Sequence, residues 1–309
     1  MIAEVPHRLD GERADKVVAV LAGLSRTEAR RLVEQGAVRR GGVVLAPAER
    51  VAAGSVIEFE PMQAEPVPTR RVSYRVIVEE PEFLVIAKPA GVTVHPGAGR
   101  PGGTLADTLA ADWPELVGVG EPGRWGIVHR LDKDTSGLLL IARTAQSHRD
   151  LATALAARRI HRSYLALVEG CVDPPRGTVD APIGRDPGVP TRRAMVSDGK
   201  PARTHYRRLA GWDRPSCSLL QVDLETGRTH QIRVHMAGIG HPVAGDRTYG
   251  ARVDAPRLWL HAWRLAFPHP KTGAAMEIEA PPDADLVEFL ATLGDPDLGQ
   301  LPFSVTVNR

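Results

Sequence analysis

The chain has few cysteines, few lysines and no long apolar run. Cys171 and Cys217 are the only cysteines among its 309 residues. Two cysteines cannot build a disulfide framework or a cysteine-rich zinc site, so we expect two reduced thiols in a cytoplasmic protein. Apolar runs such as residues 17–22 are too short to span a bilayer, and residues 1–13 hold no apolar segment of signal-peptide length. We therefore expect no membrane partner.

The charge of the chain is nearly balanced, with 39 lysines and arginines against 37 aspartates and glutamates. A net charge of +2 excludes a basic tail, but a local basic face could still bind nucleic acid. Arginine dominates the basic residues, which suits bidentate phosphate contacts, although a GC-rich genome gives the same bias. The length allows one large and one small domain, and 43% hydrophobic residues are typical of a globular protein.

Residues 8–60 form a compact first unit in the sequence pattern. Ser25 is predicted to cap a helix, with Glu28 completing a capping box, and Gly36 is predicted to end that helix. The pair Gly41-Gly42 predicts a hairpin turn. The spacing of apolar residues predicts helices over residues 14–22 and 26–35 and strands over 37–40, 43–45 and 56–60.

This helix-helix-hairpin order resembles the S4 RNA-binding domain. The residues that carry the resemblance are Arg8-Leu9-Asp10, Ser25-Arg26, Arg30-Arg31-Leu32 and Gly36-x-Val38. S4 domains commonly have Val-Asn-Gly in the hairpin, where this chain has Arg40-Gly41-Gly42. Glycine can adopt the same positive-φ turn as asparagine, so this departure alters a contact more than the fold.

A basic stretch covers the second helix and the hairpin of this unit. Residues 26–40 hold five arginines and two glutamates. A solvated amphipathic helix would account for this pattern, but the resemblance to S4 domains favours phosphate binding. The residues that we expect to bind RNA here are Arg26, Arg30, Arg31 and Arg40.

The second part of the chain has a different pattern. Residues 61–71 contain three prolines and no periodicity, which is typical of a linker. Beyond them, many short strands with few helices predict an α+β fold with a largely antiparallel sheet. We predict a first domain over residues 1–60, a linker over 61–73, a large domain over 74–295 and a tail of no clear role over 296–309.

Residues 126–142 place many polar side chains in one turn. Thr135, Ser136 and Gly137 are predicted to turn the chain into a buried strand over residues 138–142. Polar groups held on such a support usually mark a functional site. For an isolated aspartate in a turn, capping is the more common role, and Asp134 fits it well.

Three segments resemble the RluA/RluD-type pseudouridine synthases. The first is His129-Arg130-Leu131-Asp132 followed by Thr135-Ser136-Gly137. The second spans residues 159–170 and contains Arg162-Ser163-Tyr164, where the family often has Lys-x-Tyr. The third spans residues 224–235 and 240–250, where Thr229 is expected to cap a helix. The resemblance implies a mixed or antiparallel sheet with a central RNA-binding cleft.

The same resemblance implies a role for each candidate residue. Asp132 would be the catalytic residue, by attack on C1′ of uridine or by removal of the C2′ proton, and Tyr164 would stack on the flipped base. Arg233 is our choice for the partner of Asp132, with Arg228 as the competitor and otherwise an RNA contact. Arg130 would fill the space that the base leaves, or would contact a phosphate at the surface.

The reaction that this family carries out needs no redox step and no external energy source, so we expect no cofactor. Residues 97–103 lack the pattern of a nucleotide-phosphate loop. No metal is expected, because the spacing of His230 and His235 separates them around a helix.

An S4-like domain joined to this catalytic domain resembles the large-subunit ribosomal RNA enzymes of the family. That implies uridines of 23S rRNA as substrate and a protein that we expect to be a monomer. A tRNA-directed synthase and a non-catalytic ribosome-assembly factor are the alternatives. A factor without activity predicts loss of Asp132, Tyr164 or Arg233, and all three are present. A glycosidase-like enzyme would need paired carboxylates that are not evident.

Overall fold

The structure is a computed structural model that describes residues 2–22, 24, 26–59, 71–95, 102–121 and 123–303, with the side chains of residues 26–28 excepted. The described chain divides into two compact units, one within residues 2–59 and one within residues 71–303. None of the described helices is long and apolar enough to cross a membrane.

The first unit contains two helices and two small antiparallel sheets. Its elements are β1 (Ile2–Glu4), β2 (Glu12–Arg13), α1 (Ala14–Ala22), α2 (Arg26–Glu34), β3 (Val38–Arg40), β4 (Val43–Val44), β5 (Arg50–Val51) and β6 (Val56–Phe59). The larger sheet has the order β1-β6-β3-β4, and β2 pairs with β5. Val17, Leu32 and Ile57 are buried between the helices and this sheet, so the predicted helices and strands form one core.

Glycines end the second helix and turn the hairpin of the first unit, as the sequence predicts. Gly36 has a φ of +74°, and its N–H donates to Val33 O while Ala37 N–H donates to Leu32 O. These two bonds form a Schellman motif. Gly41 and Gly42 have φ values of +54° and +79°, which suits the tight turn between β3 and β4. The predicted cap at Ser25 and Glu28 lies outside the described side chains.

The second unit is built on a sheet of ten strands. Its elements are β7 (Arg75–Glu79), β8 (Phe83–Lys88), α3 (Leu105–Asp112), β9 (Ser136–Ala142), α4 (Ala145–Ala156), β10 (His161–Glu169), β11 (Arg176–Asp180), β12 (Ile183–Arg185), β13 (Arg193–Met195), β14 (Arg203–Asp213), β15 (Ser216–Leu224), α5 (Gln231–Gly238), β16 (Leu260–Pro268), β17 (Ala275–Glu279), α6 (Ala284–Thr292) and β18 (Leu298–Gly299).

The order of the large sheet is β11-β14-β15-β10-β16-β9-β8-β7, with β17 beside β16 and β18 beside β14. The pairing of β9 with β16 is parallel and joins Ser136 to His261, and the other pairings are antiparallel. The Ser136 hydroxyl also lies 2.9 Å from His261 Nδ1. The predicted α+β class with a largely antiparallel sheet is therefore confirmed.

The central strands are buried on both faces because their sequences are continuous apolar runs. All residues of β8 and β9 are buried. Leu105 and Leu109 of α3 pack with Leu139 in one core cluster, while Leu151 of α4 packs with Leu140 in another. Side chains of adjacent strand residues point to opposite faces, so helices cover both faces of β9.

Some predicted local structure is wrong. On a strand, the two-residue spacing of Arg130 and Asp132 would place both side chains on one face. Residues 128–135, all of them described, form an irregular loop instead, so strand alternation does not relate these two residues. Thr229 does not cap the helix that follows it. That helix begins at Gln231 after His230, which has a left-handed φ of +57° and makes no side-chain cap bond.

Other elements were not predicted. Helix α3 begins with a complete capping box between Thr104 and Asp107, which is visible in the sequence. The strand β18, within the predicted tail, pairs with β14. Most of the predicted linker, through residue 70, lies outside the described residues.

Candidate active site

Residues 128–135 form the loop that carries Asp132, here called the Asp132 loop. Leu131 is buried in the same core cluster as Leu139 of β9, which fixes the loop to the sheet. The N–H of Thr135 donates to Asp132 O at 3.2 Å and closes the turn. The Asp132 side chain retains 16% of its exposure, so it is accessible from a rigid support.

Lys88, at the end of β8, binds the backbone of the Asp132 loop. Its side chain is 1% exposed, and its Nζ donates to Pro89 O at 2.8 Å, Val92 O at 3.1 Å and Lys133 O at 3.0 Å. Burial lowers the pKa of Lys88 to about 7, against the opposing effect of Asp134 and Asp132. Three carbonyl acceptors match the three donors of an ammonium group, so this lysine ties the loop to the end of β8.

A pocket of about 190 Å³ opens beside Asp132. It is smaller than the roughly 300–1,000 Å³ pockets that hold drug-sized ligands, so it suits a single base better than a paired helix. Four residues that the sequence singles out meet there, namely Asp132, Tyr164, Arg130 and Arg228. The other lining residues are His129, Leu131, Thr135, Leu155, Arg162, Leu224, Gly227, Thr229, Gln231, Ile232 and Leu260.

Arg233 approaches Asp132 from the first turn of α5 but binds another carboxylate more closely. Its Nη1 lies 3.9 Å from Asp132 Oδ2. Its Nε and Nη2 donate to Asp246 at 2.6 and 2.8 Å, and its guanidinium lies 5.0 Å from the ring centre of Tyr249. Burial alone would lower the pKa of Arg233, but the hydrogen bonds and charge of Asp246 raise it overall. Arg233 therefore remains charged beside Asp132.

Asp246 is a site residue that the sequence analysis did not single out. Its side chain is 1% exposed, and it also accepts a hydrogen bond from Tyr249 N–H. It lies within the third resembling segment, but no spacing rule links it to Arg233. Arg228, the competitor for the role of Arg233, is exposed and donates from Nε to Pro201 O at 3.0 Å.

Tyr164 lies on β10 and is 5% exposed at the pocket. Burial raises the pKa of Tyr164 to about 12; the charge of Asp132 raises it further and that of Arg162 lowers it. Its phenol is therefore protonated over the physiological pH range. It offers the pocket an aromatic ring whose position the sheet fixes.

Arg162 also lies on β10 and lines the pocket. It is 9% exposed, and its buried Nε has no hydrogen-bond partner among the described residues. In the sequence, Arg162 stands where the family often has a lysine, so it keeps the positive charge near Tyr164 and was given no further role. The structure places that charge inside the pocket.

Two histidines, His230 and His235, lie on either side of Arg233 in the sequence. His230 Nδ1 lies 3.0 Å from Tyr249 OH, and burial lowers the pKa of His230. His235 is buried and lies within hydrogen-bond distance of Thr204 Oγ1 and Ala181 O, which is a structural role. Within the described part of the chain, no three histidine, cysteine or acidic side chains are arranged to hold a metal ion.

The arginines expected to bind RNA in the first unit have different surroundings. Arg30 and Arg31 are exposed on α2, and Arg30 Nε lies 2.8 Å from Glu34 Oε1. Arg40 is half-buried and pairs with Glu49 at 2.7 Å. The backbone of Arg26 begins α2, and its side chain is outside the described set.

Comparisons with known proteins identify the family of the chain. Residues 82–238 match the family model for RNA pseudouridylate synthase, and residues 12–57 match the S4 domain. Ribosomal large subunit pseudouridine synthase D of Nitrosomonas europaea is 42% identical over 94% of this chain and 86% of its own length. The protein of the same name from Pseudomonas aeruginosa is 39% identical over 94% of this chain and 95% of its own length.

A solved structure shows the same fold. Human RNA pseudouridylate synthase domain containing 1 superposes with a TM-score of 0.58 at 28% identity and covers 77% of this chain and 93% of its own. The chain belongs to the RNA pseudouridine synthase family of isomerases and has an S4 domain at its N-terminal end.

Proposed function

We propose that this pseudouridine synthase modifies uridines of 23S rRNA, in the cytoplasm and as a monomer. The observation that carries the proposal is Asp132, held at a pocket beside the buried ring of Tyr164 and 3.9 Å from the Arg233 guanidinium. The names of the relatives from Nitrosomonas and Pseudomonas, which refer to the large ribosomal subunit, support the choice of RNA.

The reaction rearranges one nucleotide without adding or removing atoms. The bond between C1′ and N1 breaks, the uracil ring turns, and C5 forms the new bond to C1′ while the C5 proton is lost and N1 gains one. Asp132 acts either by attack on C1′ or by removal of the C2′ proton, and both roles need its carboxylate close to the ribose. The charged guanidinium of Arg233 orients that carboxylate.

The target base must leave its stack before this chemistry, at a cost of a few kcal/mol. Arg130 is exposed at the pocket and can fill the space that the base leaves. The ring of Tyr164 then provides a surface for the base inside the pocket. Stacking on an aromatic side chain contributes about 1–3 kcal/mol per base, which offsets part of the cost of flipping.

The remaining arginines would hold the RNA backbone. Arg26, Arg30, Arg31 and Arg40 of the S4 domain are assigned to phosphate contacts, as is Arg228 at the pocket. Guanidinium groups bind phosphate oxygens in a bidentate geometry. Such contacts supply affinity and register, while the Asp132 pocket supplies the chemistry.

A matched pair of variants tests the catalytic assignment. Asp132→Asn removes the reactive carboxylate, whereas Asp134→Asn removes an exposed carboxylate two residues away. With uridine-labelled RNA, the wild type and Asp134→Asn should produce pseudouridine, and Asp132→Asn should bind RNA but produce none. Equal product from wild type and Asp132→Asn would overturn the assignment.

The choice of RNA needs a separate experiment. Pseudouridines should be mapped in 23S rRNA and tRNA from cells with and without the gene. Loss of positions in 23S rRNA supports the proposal, and loss confined to tRNA supports the tRNA-directed alternative. A purified protein that binds RNA but modifies neither would overturn the proposal and favour the alternative of a ribosome-assembly factor without activity.

A further inference from the structure

Arg162 is a buried cation that the described residues do not neutralise. Its side chain is nine-tenths buried, and its Nε has no hydrogen-bond partner. No carboxylate of the described residues lies within ion-pair distance of it. Burying a charge costs free energy unless a partner compensates, so this guanidinium is placed to meet a partner that enters the pocket.

The position of Arg162 relative to Tyr164 indicates what that partner is. The two residues lie two apart on β10, so their side chains share a face, and both line the pocket. A base that stacks on Tyr164 therefore brings its edge towards Arg162. The charge of Arg162 acts on the Tyr164 hydroxyl and lowers its pKa against the effect of burial, which agrees with this proximity.

The guanidinium of Arg162 lies close to the backbone that follows β15. An added Cβ at Gly227 would come within 2.7 Å of Arg162 Nη1. Gly227 and Arg162 both line the pocket, so the guanidinium lies between β10 and this backbone at the pocket wall.

We propose that Arg162 binds the uracil ring as it separates from C1′ and stabilises the negative charge that the ring acquires. This inference rests on the proposed function and adds a catalytic residue to it. When the bond between C1′ and N1 breaks, its electron pair stays on the ring and spreads over N1 and the carbonyl oxygens. The pair returns to carbon when C5 bonds to C1′, so Arg162 needs no proton transfer. This holds for either role of Asp132.

A buried guanidinium is well suited to this task. Its planar donors match carbonyl oxygens, and a fixed charge stabilises a developing anion more strongly in a dry pocket than in water. The exposed arginines remain in contact with solvent, so Arg130 is better placed for the space that the base leaves and Arg228 for a phosphate. The roles of the three pocket arginines therefore differ with their burial: the buried Arg162 acts on the base, and the exposed Arg130 and Arg228 contact the rest of the RNA.

The test compares two leaving groups, uracil and 5-fluorouracil, in the wild type and in variants of Arg162. RNA with uridine or 5-fluorouridine at the target position is incubated with excess enzyme, and the rate of loss of the N-linked nucleoside is measured. Fluorine withdraws electrons and makes the ring a better leaving group. Arg162→Gln should slow the reaction of uridine roughly 100- to 1,000-fold, as loss of one anion-stabilising donor does, and that of 5-fluorouridine at least about tenfold less. Arg162→Lys, which keeps the charge, should restore part of the rate.

Arg207→Gln is the matched control. Arg207 pairs with Gln221, and Gln221 pairs with Leu165, so Arg207 lies on the opposite face of the sheet from Tyr164. This variant should react like the wild type with both substrates. Thermal melting checks folding, and Arg162→Gln should not lower the melting temperature, since an unpaired buried charge is removed.

Two results would overturn the inference. An equal loss of rate with both nucleosides would show that Arg162 does not act on the leaving group. A loss confined to RNA affinity, with a shallower salt dependence, would assign Arg162 to a phosphate. If Asp132→Asn is inactive and Arg162→Gln is fully active, only this inference fails. If the wild type makes no pseudouridine, the proposed function itself fails.

Discussion

Arg233 forms its two short hydrogen bonds with Asp246, at 2.6 and 2.8 Å, and lies 3.9 Å from Asp132. The arginine that orients the candidate catalytic carboxylate is therefore itself oriented by a second, more deeply buried carboxylate. Because Arg233 forms its short hydrogen bonds with Asp246, the oxygens of Asp132 remain accessible from the pocket. This arrangement also makes Asp246 a positioning residue with no contact to substrate.

Asp246→Ala should destabilise the fold and slow the reaction. The substitution leaves the Arg233 guanidinium buried without its closest partner, and breaking a buried ion pair in this way costs about 3–5 kcal/mol. The free energy of unfolding, from urea titration, measures this effect. Single-turnover rates should fall while the RNA affinity of the folded protein is unchanged.

An exposed ion pair provides the control for Asp246. Arg247 and Asp254 lie 3.2 Å apart with side chains 88% and 87% exposed. Asp254→Ala should change the free energy of unfolding by less than about 0.5 kcal/mol, because exposed pairs contribute little. Similar losses in both variants would show that Asp246 does not act through burial and Arg233.

Gly137→Ala should disrupt the start of β9, directly after the Asp132 loop. Gly137 has a φ of +115°, and an added Cβ would come within 2.6 Å of Ala262 N on the neighbouring strand. Backbone strain and this overlap together should cost about 2–5 kcal/mol. Gly273→Ala, at an open hairpin tip with a φ of +73°, should cost only about 1 kcal/mol. Equal melting temperatures of the two variants would contradict the argument.

Acid should destabilise the protein through His129. Burial lowers the pKa of His129 to about 3, below its ordinary value of 6.5. Because the folded state holds this imidazole neutral while the unfolded chain binds a proton, stability is complete above pH 6.5 and is lost as the pH falls towards 3. This one group should remove about 2 kcal/mol between pH 7 and pH 5.

His129→Gln tests that account, with His161→Gln as control. His161 is exposed at the start of β10. The first variant should lose less stability than the wild type between pH 7 and pH 5 in urea titrations, and the control should follow the wild type. Burial also lowers the pKa of His261, to about 4, and this group acts in the same direction. Part of the loss of stability between pH 7 and pH 5 should therefore remain in His129→Gln. An unchanged slope in His129→Gln would count against its buried neutral state.

The S4 arginines should act on affinity alone. Arg30→Gln with Arg31→Gln removes two exposed cations from α2. The slope of log affinity against log salt should decrease in magnitude by about 1 for each phosphate that is no longer bound, with single-turnover rates at saturating enzyme unchanged. Lys16→Gln on α1, whose lysine pairs with Glu12, should leave the slope as in the wild type. An identical slope in the double variant would remove these arginines from the interface.

The sequence predicts much of this fold because its central strands are distinctive. Residues 84–87 and 138–142 are apolar runs, and the structure buries every residue of β8 and β9. Helix α3 was missed because eight residues give little periodicity, although its capping box was visible. The irregular structure of the Asp132 loop was not predicted, because a few apolar residues cannot distinguish a strand from a loop that packs on the core.

The site was only partly predictable for a different reason. Asp132, Tyr164, Arg130 and Arg228 meet at one pocket, as their motifs suggested. The pairing of Arg233 with Asp246 and the isolation of Arg162 depend on packing between distant segments, and no local pattern records them. A sequence shows that Arg162 is basic, but burial and missing partners become visible only in three dimensions.

The parallel pairing of Ser136 with His261 has a consequence for the order in which the molecule assembles. These residues are 125 positions apart, and their contact fixes the strand that leads out of the Asp132 loop. Contacts between distant segments form late, and chains fold from the N-terminal end during synthesis. A nascent chain would thus expose an S4 domain ready to bind RNA before residue 261 has emerged. We expect attachment to RNA to precede completion of the active site during synthesis.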